Sequence, residues 1–78
     1  MKEMHIRLQS FQDIRDLAVL SSAQPYGVRI SDKRFTVNAK SPMCLLSLNL
    51  HSTLRLQLDC GEDDFERFRQ QAARFEVT

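Results

Sequence analysis

Residues Val37–Leu50 read VNAKSPMCLLSLNL, and the architecture turns on how they are read. A helix start leaves N–H groups without intrahelical acceptors, and the Ser41 hydroxyl can accept one of them. Proline suits the first helical position, where its missing N–H costs nothing and its fixed φ already fits. The pair therefore predicts Ser41 as N-cap and a helix from Pro42 to about Asn49. Met43, Leu45, Leu46, Leu48 and Leu50 make that helix too apolar to stand in water alone, so it must pack on something. Just upstream, Phe35 and Val37 alternate with Arg34, Thr36 and Asn38, the period of a strand. Lys40 lies immediately before the cap. A hydroxyl at such a cap sits where a helix favours added negative charge.

Working outward, Tyr26, Val28 and Ile30 alternate with Gly27, Arg29 and Ser31, a second strand joined to Phe35–Asn38 by a tight turn at Ser31-Asp32-Lys33. Upstream again, Phe11, Ile14, Leu17, Ala18 and Ser21 fall on one face of a helix from Ser10 to about Ser22. Ser10 and Asp13 form a variant capping box at its start, and Gln24-Pro25 ends it. Met4, Ile6 and Leu8 alternate with His5, Arg7 and Gln9 in a first strand. Beyond His51-Ser52-Thr53, Leu54, Leu56 and Leu58 alternate with Arg55, Gln57 and Asp59, the clearest strand of all. Cys60-Gly61 breaks it. Glu62, Asp63 and Asp64 then crowd a helix start, with Arg67, Arg69 and Arg74 further along, which suits the macrodipole. Phe65, Phe68, Ala72 and Phe75 form that helix's buried stripe. The order β-α-β-β-α-β-α is a split-βαβ, α+β plan: a four-stranded antiparallel sheet with three helices on one face.

The totals agree with one small globular domain. The chain has 78 residues, 42% hydrophobic and 27% charged, with a net charge of +1. Such a charge gives no global pull toward nucleic acid or anionic membrane. Two cysteines, Cys44 and Cys60, lack metal or redox spacing, so a reduced, cytoplasmic setting is expected. No apolar run approaches the roughly 18 residues of a membrane span, and no signal-peptide pattern opens the chain. No cofactor is implied.

The segment VNAKSPMCLLSL resembles the regulatory-serine segment of HPr, the histidine-containing phosphocarrier of the bacterial phosphoenolpyruvate sugar phosphotransferase system. Members commonly read VNAKS, two apolar residues, Gly, then an apolar-Ser-Leu run. The likeness extends ungapped upstream to about Ser10, and the last strand and helix fit the same plan. It implies an open-faced β-sandwich of four strands and three helices covering residues 1–78.

The resemblance also implies a site, and this sequence departs from it. A carrier of this family holds phosphate on a histidine before the first helix, beside an arginine and a proline. Those positions fall at Ser10, Gln12 and Asp13. A phosphoryl site needs a nucleophilic imidazole, helix amides for the anion and a cation. Here a hydroxyl replaces the nucleophile and a carboxylate faces the docking position. The chain is therefore expected not to be a histidine phosphocarrier or an enzyme. His5, mid-strand on the solvent side, and His51, in a loop expected at the far end of the middle helix, are the alternative acceptors.

Ser41 matches the serine that members offer to an ATP-dependent kinase, the phosphorylated form docking on a LacI-type repressor. Phosphate there would meet helix amides and could pair with Lys40. The plain alternative is an N-cap serine. Pro42, Met43 and Leu46 match the apolar patch that members present to partners; otherwise they belong to the core. Cys44 stands where the family has glycine. In the first turn its thiolate would be favoured, although a small buried apolar residue is the simpler reading. Lastly, His5, Arg7, Arg29, Arg34 and Arg55 should all point away from the helices, against Asp59. Such a face could hold anions or RNA, but split-βαβ RNA binders stack bases on sheet aromatics, and Tyr26 and Phe35 fall on the inward set.

Overall fold

The computed structural model describes residues 1–77. The elements are β1 (Lys2–Ile6), α1 (Phe11–Ser22), β2 (Val28–Ser31), β3 (Thr36–Asn38), α2 (Pro42–Leu46), β4 (Leu54–Leu58) and α3 (Glu62–Gln71), followed by a 3-10 turn, Ala73–Phe75. The strands form one antiparallel sheet in the order β1-β4-β2-β3. The last strand in sequence thus lies between the first two, which is the split-βαβ plan expected. Leu54, Leu56 and Leu58 on β4 are each fully buried, as are Ile6 and Ile30 on its neighbours. Each such side chain contributes about 1.5–3 kcal/mol on burial. They face Leu17 and Ala18 of α1, Leu45 of α2, and Phe65 and Phe68 of α3 in one core.

Register places the opposite set outward. His5 pairs Arg55, and Arg55 pairs Ser31; Glu3 pairs Gln57, and Gln57 pairs Arg29. Residues directly opposite in an antiparallel ladder share a face, so these side chains belong to the side of the sheet away from the helices, where Ser31 alone among them is buried. Tyr26 packs half-buried against the core, as expected. Phe35 differs: at the sheet's end, beyond the cover of α2, it is 50% exposed, with the Arg34 guanidinium 5.3 Å from its ring centroid.

Two helices stop earlier than their apolar patterns suggest. α2 ends at Leu46, and Ser47 caps it by donating its hydroxyl to the Cys44 carbonyl (2.6 Å). Leu48 is buried and Leu50 half-buried, but both reach the core from an irregular turn. That turn is tethered by Asp32, whose carboxylate accepts the N–H groups of Arg34 (2.7 Å), Phe35 (2.8 Å) and Asn49 (2.9 Å). Three donors on one carboxylate stabilise its charged form and lower its pKa to about 2. α3 ends at Gln71, so Phe75 is buried from the separate 3-10 turn. The chain then runs along the outer edge of β1: Arg7 N–H donates to Phe75 O (2.9 Å) and Val77 N–H to His5 O (3.0 Å). This short pairing covers part of an edge that would otherwise be open to other strands.

Candidate functional site

Ser10 has the extended backbone of an N-cap (φ −153°, ψ 167°), and its Oγ accepts the Asp13 N–H (3.2 Å). Asp13 answers one residue further back than a capping box requires: its Oδ2 accepts the Gln9 N–H (2.9 Å). Its Oδ1 accepts from Arg74 Nη1 (3.0 Å), while Arg74 Nη2 reaches Asp16 Oδ2 (2.5 Å). Gln12 donates its amide to Asp16 Oδ1 (2.8 Å). The side chains of Ser10, Gln12, Asp13 and Asp16 are thus all engaged within the protein. The Asp13 side chain is only 16% exposed. Arg74 also stacks on Phe75, 4.3 Å from its centroid, so the three groups latch the chain end onto α1. Sequence reasoning missed this use of Arg74. Arg74 lies 61 positions from Asp13, so no local spacing could announce it.

Phe11 corrects a second expectation. It falls on the apolar helical face yet is 78% exposed. Helical side chains lean toward the N-terminus, so at the first helical position the ring overhangs the end of the sheet and finds no core beneath it. Phe11 instead borders a hollow of about 470 Å³ between the start of α1 and the end of α2, lined also by Ser10, Ile14, Leu46, Leu50 and His51. His51 lies in the loop past the far end of α2, as expected, and that loop stands beside the start of α1. The early end of α2 turns the chain back toward α1, and Arg7 Nη2 fastens the loop by donating to the His51 carbonyl (2.8 Å). His5 stands exposed on the open sheet face opposite Arg55.

Ser41 is the N-cap of α2: its Oγ accepts the Cys44 N–H (3.4 Å), and Pro42 opens the helix. Leu45 points into the core with no exposed surface, whereas Met43 is 81% and Leu46 51% exposed. Lys40 is engaged elsewhere. Its Nζ donates to Gln24 O at the end of α1 (2.9 Å), and its own carbonyl accepts from Ser22 Oγ (3.1 Å). Lys40 thus ties the α2 start to the α1 end. Cys44 and Cys60 are free, partly covered thiols, and burial pushes the Cys60 thiol up. Burial likewise raises Tyr26 to about 12; its buried hydroxyl has only the Cys60 thiol beside it and makes no hydrogen bond of good geometry. Among the described residues no group of three or more His, Cys, Asp and Glu could hold a metal, and no helix is long and apolar enough to cross a membrane.

This sheet order, with three helices on one face, is the HPr fold. The chain is similar to the crystal structure of HPr-C-His from Thermoanaerobacter tengcongensis, with a TM-score of 0.75 and 19% identity over 95% of this chain and 92% of that one. It is also similar to the histidine-containing phosphocarrier protein of a Mycoplasma, with a TM-score of 0.72 and 15% identity over 94% of this chain and 93% of that one. No protein-family model and no curated protein matches the sequence. The resemblance to HPr is thus one of structure along nearly the whole chain.

Proposed function

We propose that this chain is an HPr-like module of the bacterial sugar phosphotransferase system that works by binding protein partners, and that it is not a histidine phosphocarrier at Ser10. One observation carries the reading. The start of α1, where a carrier presents its imidazole and free amides, is occupied by the Ser10–Asp13 cap and the Arg74 latch. A phosphate brought there would displace an ion pair and meet the carboxylates of Asp13 and Asp16.

The partner face comprises Pro42, Met43 and Leu46 of α2, with Phe11 of α1 beside Leu46 across the hollow. Large apolar side chains this exposed need a cover, and partner binding supplies one. By the resemblance, the partners are the phosphotransferase-system enzyme, a Ser-kinase acting on Ser41 and a LacI-type repressor. Phosphate on Ser41 would sit at the α2 N-terminus. Lys40 would have to release the Gln24 carbonyl to pair with it. The test is direct binding to those purified proteins, before and after treatment with the kinase and ATP. Met43→Asp with Leu46→Asp should abolish binding while leaving the fold intact. Unchanged binding by that variant would overturn the reading.

A second reading rests on His51. Its presence in the hollow beside Ser10, with Arg7 near, supports phosphotransfer through a displaced histidine. It requires that phosphoenolpyruvate load the chain through its enzyme partner, which the first reading forbids.

A further inference from the structure

The open face of the sheet carries two arginines, Arg29 and Arg55, that neither the fold nor the α1–α2 surface uses. Arg55 on β4 pairs Ser31 of β2, and Arg29 stands two residues along β2, opposite Gln57. Arg55 and Arg29 are therefore diagonal neighbours, about 7–8 Å apart at the backbone. The same diagonal runs back to Arg7, just past β1, and forward to Lys40, just past β3. Both ends are held by carbonyls, Arg7 by His51 O and Lys40 by Gln24 O. Arg67, Arg69 and Arg74 are all in ion pairs, whereas Arg29 and Arg55 form none among the described residues. Beside Arg29, at the open edge of β3, lies a hollow of about 550 Å³ that Thr36, Asn38 and Lys40 also line, with no acidic side chain.

We propose that this face binds an acidic polypeptide segment in extended conformation, with Asp or Glu at alternate positions. In an extended chain alternate side chains share one side about 6.5–7 Å apart, close to the spacing of the arginine diagonal. A guanidinium matches a carboxylate with two parallel hydrogen bonds. Two features favour a peptide over a polynucleotide. Glu3 and Asp59 stand on the same face, so a chain charged at every unit would meet repulsion that spaced carboxylates avoid. The face also carries no Phe, Tyr or Trp among the described residues, Tyr26 lying on the core side, so bases would have only His5 and the guanidinium planes to stack on.

The experiment is fluorescence anisotropy with the intact chain and a labelled nine-residue peptide alternating Asp with Ser. The controls are its Asn-for-Asp counterpart and a single-stranded oligonucleotide of similar length. The acidic peptide is expected to bind, to weaken steeply as salt rises, and to lose about tenfold or more in affinity with Arg29→Gln plus Arg55→Gln. The charge-reversed pair Arg29→Glu plus Arg55→Glu should instead take up a peptide alternating Lys with Ser, with a circular dichroism spectrum and urea midpoint matching the unaltered chain to show that the variant is folded. Met43→Asp should bind the acidic peptide undiminished, separating this surface from the α1–α2 face. No binding of the acidic peptide, equal binding of the Asn counterpart or of the oligonucleotide, or indifference to the Arg29 and Arg55 changes would each overturn the proposal.

Discussion

Replacing Asp13 with Ala removes two interactions at once, and their sizes can be set from the structure. The first is the bond from the Gln9 N–H to a charged oxygen, at 2.9 Å and mostly shielded from water. A hydrogen bond to a charged group is worth about 1.5–3 kcal/mol. The second is the ion pair with Arg74, whose guanidinium is 53% exposed. Solvent screening holds such a pair to about 0.2–1 kcal/mol. Together they predict a loss of about 2–3 kcal/mol, allowing for some replacement of the lost bonds by water. At 0.05–0.15 kcal/mol per residue, a chain of this length has about 4–12 kcal/mol in all, so the loss is a large fraction. Urea unfolding followed by circular dichroism measures it. Arg74→Ala and the double variant complete a cycle whose coupling should be about 0.2–1 kcal/mol. A loss for Asp13→Ala below about 0.5 kcal/mol, the range of an ordinary surface change, would refute the claim that Asp13 is committed to holding α1 and the chain end together.

Other outcomes follow from the same geometry. Asp32 has its pKa lowered from 3.8 to about 2, so its stabilising charge is fully present above pH 3.8 and is lost as pH falls through 2. Asp32→Asn should therefore flatten the acid-unfolding curve between about pH 4 and pH 2, measured by circular dichroism, relative to the unaltered chain. Tyr26→Phe removes a buried hydroxyl whose one neighbour is the weakly bonding Cys60 thiol and should leave stability unchanged or raise it by up to about 1 kcal/mol, read from urea midpoints. Spectrophotometric titration of the single tyrosine should show a midpoint near 12. Ser41→Ala removes the α2 cap and should cost about 1 kcal/mol, whereas Ser41→Asp, itself a good cap, should cost little. Thermal unfolding of the two variants side by side distinguishes a capping role from none.

Much of this fold is legible in the sequence because its signals are local. The Leu54–Leu58 alternation, the Ser10 and Ser41 caps and Pro42 each act within a few residues, and each stands where its pattern puts it. What the pattern misplaces depends on contacts between distant segments. Leu48 and Phe75 continue helical stripes yet are buried from turns, because the Ser47 cap and the 3-10 turn end the helices first. Phe11 and Phe35 fall on core-facing sets but overhang the ends of their elements, where periodicity carries no information about cover. At the candidate site, the expectation that Ser10 occupies the family's histidine position comes from the resemblance alone. The Arg74 latch, the use of Lys40 at the end of α1 and the closeness of His51 to Ser10 appear only once the chain is folded.

The most direct test is whether phosphoenolpyruvate, with the enzyme that loads HPr proteins, transfers a phosphoryl group to this chain. Intact-mass spectrometry before and after brief acid treatment reads the result. The account predicts an unchanged mass in both samples. An added phosphate that acid removes, and that disappears with His51→Ala, would contradict it.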